Sequence, residues 1–365
     1  MPFQIIRNDI TRVKADAIVN TANPKPRIGR GTDSAIYEAA GEERLMAARE
    51  RIGEIAPGQA VPTEAFALKA KYIIHTVGPV WIDGAHGERD TLHSCYKNAL
   101  TLADSLGCES IAFPLIATGT YGFPKEEALH IALSEIQRFL LTHEMKVAIV
   151  VFDRKALELS ESLVGGIEQF IDDHTARVLH AKERGGNSFR RSRRRRDGRD
   201  EEPVVYGSVS GLPEPLARED MIEADDEREA APAPAAAMPD LTGKSLEEIL
   251  DDAGESFQQR LLKLIDESGM DDVTVYKKAN IDRKVFSRIR CKPDYKPKKK
   301  TALAFAIALE LDMPTMTDLL SRAEIALSPS STFDLIITYF VTNKKYDIFE
   351  INAALFKYGQ PILGE

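Results

Sequence analysis

Two glycine-containing turns, each between a predicted strand and a predicted helix, are the parts of this sequence best suited to binding phosphate. The first is Gly29-Arg30-Gly31, and the helix after it is predicted to begin near Ser34 or Ala35. The second runs from Leu115 to Pro124. Glycines let backbone N–H groups approach a phosphate, and a helix N-terminus adds a dipole that favours an anion. Because a diphosphate needs donors on two sides, the two turns together predict a pyrophosphate ligand.

Polar side chains follow the first two predicted strands. Asp9 comes directly after the first strand, and Asn20 and Asn23 end the second. Ligands of open α/β sheets usually bind at the loops beyond the carboxyl ends of the strands. We therefore expect these side chains to lie beside the two glycine-containing turns.

The histidines do not indicate a metal site. His75 lies in an apolar strand, where a single buried histidine is usually a hydrogen-bonded part of the core. His86 and His93 have no cysteine or carboxylate partner at a convincing ligand spacing. We expect no metal and no cofactor.

Alternating strand and helix patterns over the first 170 residues predict the α/β domain that positions these side chains. The predicted strands are Phe3 to Asn8, Ala17 to Asn20, Ala60 to Ala65, Tyr72 to Thr76, Ser110 to Pro114 and Val147 to Phe152. The predicted helices are Ser34 to Ala40, Glu42 to Ile52, Thr91 to Leu106 and Lys125 to Leu141. Helices are expected on both faces of a central sheet.

The rest of the 365-residue chain has a different composition, and the length itself favours more than one domain. Residues from roughly 180 to 245 combine a basic run, an acidic stretch and alternating Ala-Pro, which predicts a disordered linker. From Ser256 onward the pattern is purely helical. We expect an α/β domain over residues 1–175, the linker over residues 180–245, and a separate all-α domain over residues 246–365.

The net charge of −9 would disfavour nucleic acid as a partner if it were spread evenly. Between Lys277 and Lys300, however, eleven Lys or Arg residues stand against two acids, a local balance of +9. The amino terminus lacks a basic region followed by a long apolar stretch, and the run Ala302 to Leu311 is too short to span a bilayer. We expect a cytoplasmic protein without a membrane partner.

Five segments of the first half occur in a characteristic order: Asn8 to Thr11, Asp16 to Asn23, Gly31 to Gly41, Tyr72 to Pro79 and Ala117 to Pro124. In that order they resemble the macrodomain family, and the resemblance covers about residues 1 to 170. It implies a three-layer α/β fold with a mixed central sheet. It also implies ADP-ribose, or a macromolecule that carries it, as the binding partner.

The resemblance implies a role for each matching residue. Asp9 would accept the adenine amino hydrogen beside the backbone of Ile10, and Phe152 would pack on the adenine. Asn23 would contact the distal ribose and Asp33 would orient or activate the attacking water, so these two are the expected catalytic residues. The other expected ligand-binding residues are Asn20, Gly31, Ser34, Ala35, Ile36, Thr118, Gly119, Thr120, Tyr121 and Gly122.

The chemistry also has a basis in the residues themselves. A water held between Asp33 and a substrate phosphate oxygen would cleave a glycosidic or ester bond at the distal ribose, while Asn23 fixes the sugar hydroxyls. Two features depart from the family pattern: Ile28 and Arg30 interrupt what is commonly a run of glycines, and Ala117 stands where serine is frequent. Arg30 is either a bidentate phosphate ligand or a solvated charge, and Asp33 alternatively only caps the helix.

The segment Val273 to Ile289 has a short helix, an asparagine at position 280 able to take a left-handed turn, and Asp282 as the N-cap of a second helix. It resembles the helix-turn-helix of phage-repressor-type regulators. The side chains expected to face a DNA groove are Arg283, Lys284, Ser287 and Arg288. The alternative is a helical protein-interaction or dimerisation module whose lysines form a solvated face.

Two functions therefore fit the sequence. The first is an enzyme that hydrolyses mono-ADP-ribosyl linkages on protein or nucleic acid, or O-acetyl-ADP-ribose. The second is a non-catalytic ADP-ribose sensor that regulates DNA or protein binding through the C-terminal domain. A measurement of substrate turnover distinguishes the enzyme from the non-catalytic sensor.

Overall fold

The structure is a computed structural model that describes residues 2–152, 159–174 and 255–364. The linker expected at residues 180–245 and the domain boundaries expected at residues 175 and 246 lie outside the described residues. These expectations therefore stay predictions.

Six strands of the described residues form one mixed sheet: β1 Phe3–Arg7, β2 Ala17–Thr21, β3 Ala60–Glu64, β4 Tyr72–Thr76, β5 Ser110–Phe113 and β6 Lys146–Val151. Their order in the sheet is β1-β6-β5-β2-β4-β3. Five strands run parallel, and only the edge strand β3 is antiparallel to its neighbour β4. The six predicted strands and the mixed sheet are confirmed, within one residue at each strand end.

The helices of the α/β part are α1 Thr32–Ala40, α2 Glu42–Ile52, α3 Glu88–Ser105, α4 Lys125–Leu140 and α5 at residues 161–174, together with a short 3-10 turn at Ile10–Arg12. The predicted helices are confirmed, but two begin earlier than expected. Helix α1 begins at Thr32, two residues before Ser34, and α3 begins at Glu88, three residues before Thr91. The earlier start of α1 places Asp33 inside its first turn.

The α/β part has three layers because successive strand side chains point to opposite faces of the sheet. Val19 of β2 belongs to the apolar cluster that α3 and α4 contribute to. The neighbouring Ile18 belongs to the cluster formed with Ile36 of α1 and Leu45 of α2. The sheet therefore lies between two helical layers, as expected.

Residues 255–364 contain seven helices: α6 Phe257–Ser268, α7 Asp272–Lys278, α8 Arg283–Cys291, α9 Lys299–Ala308, α10 Met313–Ser321, α11 Thr332–Thr342 and α12 Ile348–Lys357. We call residues 255–364 the helical region. Six of its helices begin at a Ser or Asp whose side chain accepts a first-turn N–H, the standard N-cap interaction: Ser256, Asp271, Asp282, Asp312, Ser331 and Asp347. In the part of the chain described here, no helix is long and apolar enough to cross a bilayer.

The helical region packs directly on the edge strand β1, and the two share one continuous apolar core. The rings of Phe3 and Phe349 lie 4.7 Å apart. The Asn280 side chain pairs with the Phe3 backbone, because Oδ1 accepts from the Phe3 N–H at 2.8 Å and Nδ2 donates to the Phe3 carbonyl at 3.0 Å. Asn280 has a φ of 54°, the left-handed turn expected between α7 and α8. Its amide thus satisfies the outward N–H and carbonyl of one residue of the edge strand β1.

Replacing Asn280 by glycine is expected to lower the free energy of unfolding of the full chain by about 2 to 4 kcal/mol. Glycine keeps the left-handed backbone but leaves the buried Phe3 N–H and carbonyl without partners, and each such loss costs about 1 to 3 kcal/mol. Urea denaturation measures the change. Lys344→Gly is the matched control, because Lys344 has a φ of 54° and an exposed side chain. Equal effects of the two substitutions would contradict a role for the Asn280 amide.

Candidate active site

Four loops that carry the expected site residues meet at one edge of the sheet. Strands β1, β6, β5 and β2 are consecutive and parallel, so their carboxyl ends share that edge. Asp9 follows β1, Asn23 follows β2, the turn at residues 117–123 follows β5, and Phe152 follows β6. The fold therefore brings together residues that are up to about 140 positions apart in the chain.

Asp9 is half-buried and holds the 3-10 turn after β1. Its Oδ1 accepts from the Thr11 N–H at 2.9 Å and from the Thr11 hydroxyl at 2.8 Å. Its Oδ2 accepts no hydrogen bond from any described residue, so one carboxylate oxygen remains available to a ligand. Ile10, next to it, is buried, and its backbone is the part that a ligand can reach.

Asp33 is buried in the first turn of α1, with a side chain only 2% exposed. Its Oδ1 accepts from Nδ2 of Asn20 at 2.7 Å, and its Oδ2 accepts from the backbone N–H of Gly29. The N-cap position of α1 belongs to Gly31, and no side chain caps the helix. Asp33 thus holds the preceding loop instead of capping its own helix, which removes the simplest alternative for this residue.

Arg49 of α2 supplies positive charge to this buried carboxylate. It is 1% exposed, and its guanidinium donates to the carbonyls of Gly53 at 3.1 Å and Asn23 at 3.3 Å and contacts the Tyr37 hydroxyl. Burial raises the pKa of Asp33, while the Gly29 N–H, Asn20 and the charge of Arg49 act to lower it. Burial together with the charge of Asp33 raises the pKa of Tyr37 to about 12, so Tyr37 stays protonated.

The polar network continues from Asn20 to His75 and Thr63. Nδ2 of Asn20 lies 3.2 Å from Nδ1 of His75, and Nε2 of His75 lies 3.0 Å from the Thr63 hydroxyl. An amide nitrogen can only donate, so Nδ1 accepts and the proton of the neutral ring is on Nε2. Burial lowers the pKa of His75 to about 3, which agrees with a neutral ring. His75 is therefore a hydrogen-bonded core residue, as the sequence predicts.

These positions revise how two expected ligand residues can act. The side chain of Asn20 is fully buried against Asp33, so its contribution is to hold Asp33 and not to contact a ligand directly. The side chain of Ile36 is fully buried in the apolar cluster between α1, α2 and the sheet, so only its backbone can reach a ligand. The sequence pattern cannot separate these cases, because both residues lie within the expected motif.

The turn before α1 retains the features of an anion site. Gly31 has a φ of 65°, a conformation that favours glycine, and the helix that follows has no side-chain cap. The Ser34 hydroxyl donates to the Gly31 carbonyl at 3.0 Å, and Ala35 is half-buried. The first N–H groups of α1 therefore point toward the site without a capping side chain.

The turn after β5 is tightly packed against the loop after β4. Ala117 has a φ of 63°, and a Cβ placed on Gly78 would lie 3.0 Å from the Ala117 side chain. The Tyr121 carbonyl accepts from the Trp81 N–H at 2.8 Å. Thr118 and Tyr121 are half-buried, whereas Gly119, Thr120 and Gly122 are exposed.

Glu88 organises the loop that carries Trp81. Its carboxylate accepts from four backbone N–H groups, those of Ile82, Asp83, Gly84 and His86. Although burial opposes ionisation, these bonds lower the pKa of Glu88 to about 2. The Trp81 ring packs on Phe123 with centroids 4.6 Å apart. Glu88 thereby fixes the loop that supports the turn after β5.

The expectation that His86 and His93 lack carboxylate partners is wrong. His86 lies 3.0 Å from Asp83 and close to Glu88, and His93 lies 2.8 Å from Glu135. The first pair is local, three residues apart, and the second joins α3 to α4, a separation that sequence spacing does not report. The oxygens of Glu88 already bind the backbone, so we assign the Asp83, His86 and Glu88 group to loop structure.

Phe152 is 80% exposed at the end of β6, and Asn23 is half-buried with its Nδ2 donating to the Arg27 carbonyl at 3.2 Å. Both lie where a ligand at this edge can reach them, and their roles stay predictions. Sequence reasoning missed Arg49, Tyr37 and Glu88. The only sequence signal for Arg49 is a charged residue at an inward position of an amphipathic helix, and that signal is weak without the fold.

Comparison with known proteins identifies relatives of the α/β part. A family model described as "Macro domain" matches residues 19–132. An O-acetyl-ADP-ribose deacetylase of Citrobacter rodentium is 45% identical over 167 residues, which are 44% of this chain and 94% of that protein. A macro domain-containing protein of Listeria monocytogenes is 44% identical over 171 residues, 45% of this chain and 97% of that protein.

Solved structures give similar matches. The Oceanobacillus iheyensis macrodomain with ADP is 38% identical, with a TM-score of 0.40, and the match covers 42% of this chain and 84% of that one. The Trypanosoma brucei macrodomain in complex with ADP-ribose is 34% identical, with a TM-score of 0.40, and the match covers 42% of this chain and 66% of that one.

Replacing Arg49 by methionine is expected to cost about 3 to 5 kcal/mol of stability at pH 8, because it leaves the buried Asp33 carboxylate without its cation. Burial raises the folded-state pKa of Asp33 above its unfolded value, so Asp33 favours folding at low pH and loses that contribution as pH rises through the folded pKa. Loss of Arg49 raises that pKa further. The cost should therefore be smaller at pH 5 than at pH 8, as measured by urea denaturation.

Arg49→Lys is the control, since it keeps the positive charge while changing the hydrogen bonds. Its cost should depend little on pH. If the methionine and lysine variants lost the same stability at both pH values, the charge of Arg49 would not be what holds Asp33.

Proposed function

Because the α/β part of this chain belongs to the macro domain family, we propose that it binds ADP-ribose and hydrolyses O-acetyl-ADP-ribose or mono-ADP-ribosyl linkages. The observation that carries the proposal is the placement of Asn23 and Asp33 at the two ends of one loop, at the sheet edge where two backbone-lined turns meet. The 45% identical relative named O-acetyl-ADP-ribose deacetylase supports it.

The proposed binding mode assigns one part of ADP-ribose to each loop. The free Oδ2 of Asp9 accepts the adenine amino hydrogen, and Phe152 packs on the base. The N-terminus of α1 and the turn at residues 118–122 donate N–H groups to the diphosphate. Asn23 then lies beside the distal ribose, with its Oδ1 free to accept from a sugar hydroxyl.

The proposed reaction is the attack of water on the bond at the distal ribose. For O-acetyl-ADP-ribose, the water oxygen bonds to the acetyl carbon, the bond from that carbon to the ribose oxygen breaks, and the ribose oxygen takes a proton. The products are ADP-ribose, acetate and a proton. A carboxylate oxygen accepts two hydrogen bonds, so Asp33 can hold the water while it keeps Asn20 and Gly29.

A sensor without turnover is the weaker candidate. In a site that only bound a diphosphate, a buried carboxylate would serve only to hold the loop through the Gly29 N–H, and it would repel the diphosphate in a medium of low dielectric. Burial of the Asp33 carboxylate costs desolvation free energy, which Asn20 and Arg49 offset only in part. A hydrolysis step that needs a carboxylate gives a reason for this arrangement.

Asp33 and Asp9 should separate turnover from binding. Asp33→Ala and Asp33→Asn should lower the hydrolysis rate by about 10²- to 10⁴-fold, the usual contribution of a positioned acid or base, with ADP-ribose affinity changed by only a few-fold. Asp9→Ala should weaken ADP-ribose binding by about 1 to 3 kcal/mol. Calorimetry gives the affinities, and a panel of ester-linked, arginine-linked and nucleotide-linked substrates gives the rates.

Glu38→Gln is the matched control, because Glu38 lies on the same helix as Asp33 and is exposed. It should change neither quantity. If the wild-type protein bound ADP-ribose but released none from any of the substrates, the result would contradict the enzyme proposal and favour the non-catalytic sensor.

For the helical region we propose DNA binding through α8, and the observation that favours it is the division of this helix into two faces. Phe286 and Ile289 are buried. The four side chains expected to face DNA are all exposed, and none forms an ion pair with a described residue: Arg283, Lys284, Ser287 and Arg288. Such a face can contact phosphates and base edges in a major groove.

The cytoplasmic location likewise stays a proposal.

The double substitution Arg283→Gln, Arg288→Gln should weaken binding of the full chain to duplex DNA. It should also make the dependence of log affinity on log salt shallower by about 2, because two phosphate contacts are lost. Gel shifts over a series of salt concentrations measure both. Lys344→Gln, Lys345→Gln is the control, since both lysines are exposed. A DNA affinity that depended neither on salt concentration nor on the two arginines would favour the protein-interaction module.

A further inference from the structure

The loop between Asn23 and Asp33 carries a concentrated positive charge. Lys25, Arg27 and Arg30 lie on it, and there is no acidic residue between Asp16 and Asp33, although the whole chain has a net charge of −9. We call residues 25–30 the basic loop. All three cations are exposed, and among the described residues none has a carboxylate within ion-pair distance.

Contacts at both ends and in the middle fix the backbone of this loop. The Pro24 carbonyl accepts from the Ile55 N–H at 2.9 Å, and the Arg27 carbonyl accepts from Nδ2 of Asn23 at 3.2 Å. The Gly29 N–H donates to Asp33, and the Ile28 side chain packs against the apolar cluster of α1 and α2. The cations are therefore presented on an ordered backbone, so a ligand does not have to order the loop when it binds.

The basic loop lies between Asn23 and Asp33, the two residues that the proposed function places at the distal ribose. The Arg27 carbonyl accepts from Nδ2 of Asn23 at 3.2 Å, and the Gly29 N–H donates to Asp33, so the backbone of the loop contacts both residues proposed to act at the distal ribose. Asn23, proposed to contact the distal ribose, directly precedes the loop. If the distal ribose binds beside Asn23 as proposed, a group bonded to it would lie next to the basic loop.

We propose that the basic loop binds the phosphate backbone of a nucleic acid strand that carries the ADP-ribosyl group, so that ADP-ribosylated nucleic acid is a preferred substrate class. This inference rests on the proposed function of the pocket. Arginine and lysine bind phosphate through charge-assisted hydrogen bonds, and a strand offers one phosphate per nucleotide to three closely spaced cations. Unlike a peptide ligand, such a strand needs no apolar pocket and no open strand edge to gain affinity.

The test compares three ligands of the full chain: free ADP-ribose, an ADP-ribosylated peptide, and a short single-stranded oligonucleotide with ADP-ribose on its terminal phosphate. The variant Lys25→Gln, Arg27→Gln, Arg30→Gln should bind the oligonucleotide about tenfold more weakly than the wild type at low salt. Its salt slope should be shallower by about 2, because three cations facing a single strand each contribute about 0.7. Its affinity for free ADP-ribose should stay within about twofold, since the loop is proposed to act on the attached strand.

The matched control is Arg51→Gln, Lys69→Gln, Lys97→Gln, which removes the same charge from exposed positions elsewhere on the α/β part. It should leave all three affinities unchanged. Fluorescence anisotropy over a salt series gives the affinities, and hydrolysis of the peptide and oligonucleotide substrates gives kcat/KM for the same variants.

Three outcomes would overturn the inference. An equal loss for free ADP-ribose would mean that the loop binds the diphosphate, and an equal loss for the peptide would mean that it recognises any attached chain. An unchanged oligonucleotide affinity would leave the loop as solvated charge. If the wild-type protein did not bind ADP-ribose at all, the proposed function itself would fail, and that result differs from each of the three.

Discussion

The buried carboxylate of Asp33 sets conditions that the surrounding elements have to meet. An ionised group with little exposure to solvent is stable only when donors and opposite charge surround it. The donors are Asn20 on β2 and the N–H of Gly29 in the loop, and the charge is that of Arg49 on α2. Nδ2 of Asn20 donates to both Asp33 and Nδ1 of His75. Because Nδ1 has to accept this hydrogen bond, the His75 ring stays neutral. One network therefore joins the sheet, two helices and the loop over the site.

This network also explains the order of the loop at residues 23–31. Arg49 donates to the carbonyl of Asn23 at one end of the loop, and Asp33 accepts from Gly29 near the other. Ile28 in this loop packs into the core, and Arg30 is exposed. The side chain of Ile28 therefore adds an apolar anchor to the two hydrogen-bonded ends of the loop.

The parallel sheet separates the two regions of the molecule that carry proposed functions. The site lies beyond the carboxyl ends of the strands, whereas Asn280 of the helical region binds Phe3 at the amino end of β1. The four steps from Phe3 to Arg7, at about 3.3 Å each, place these ends about 13 Å apart. The helical region is attached to β1 through the buried amide of Asn280, the ring of Phe349 and a shared apolar core.

Local sequence determined the six strands, the helices and their N-caps, because period-2 and period-3.6 patterns and capping residues act within a few positions of one another. It also marked Asp9, Asn23 and Asp33 through a motif. Only the tertiary structure decided that Arg49 donates to the Asn23 carbonyl near the buried Asp33 and that Asn280 pairs with Phe3, because these contacts join residues 26 and 277 positions apart. Such pairs depend on how whole elements pack, and no spacing along the chain records that packing.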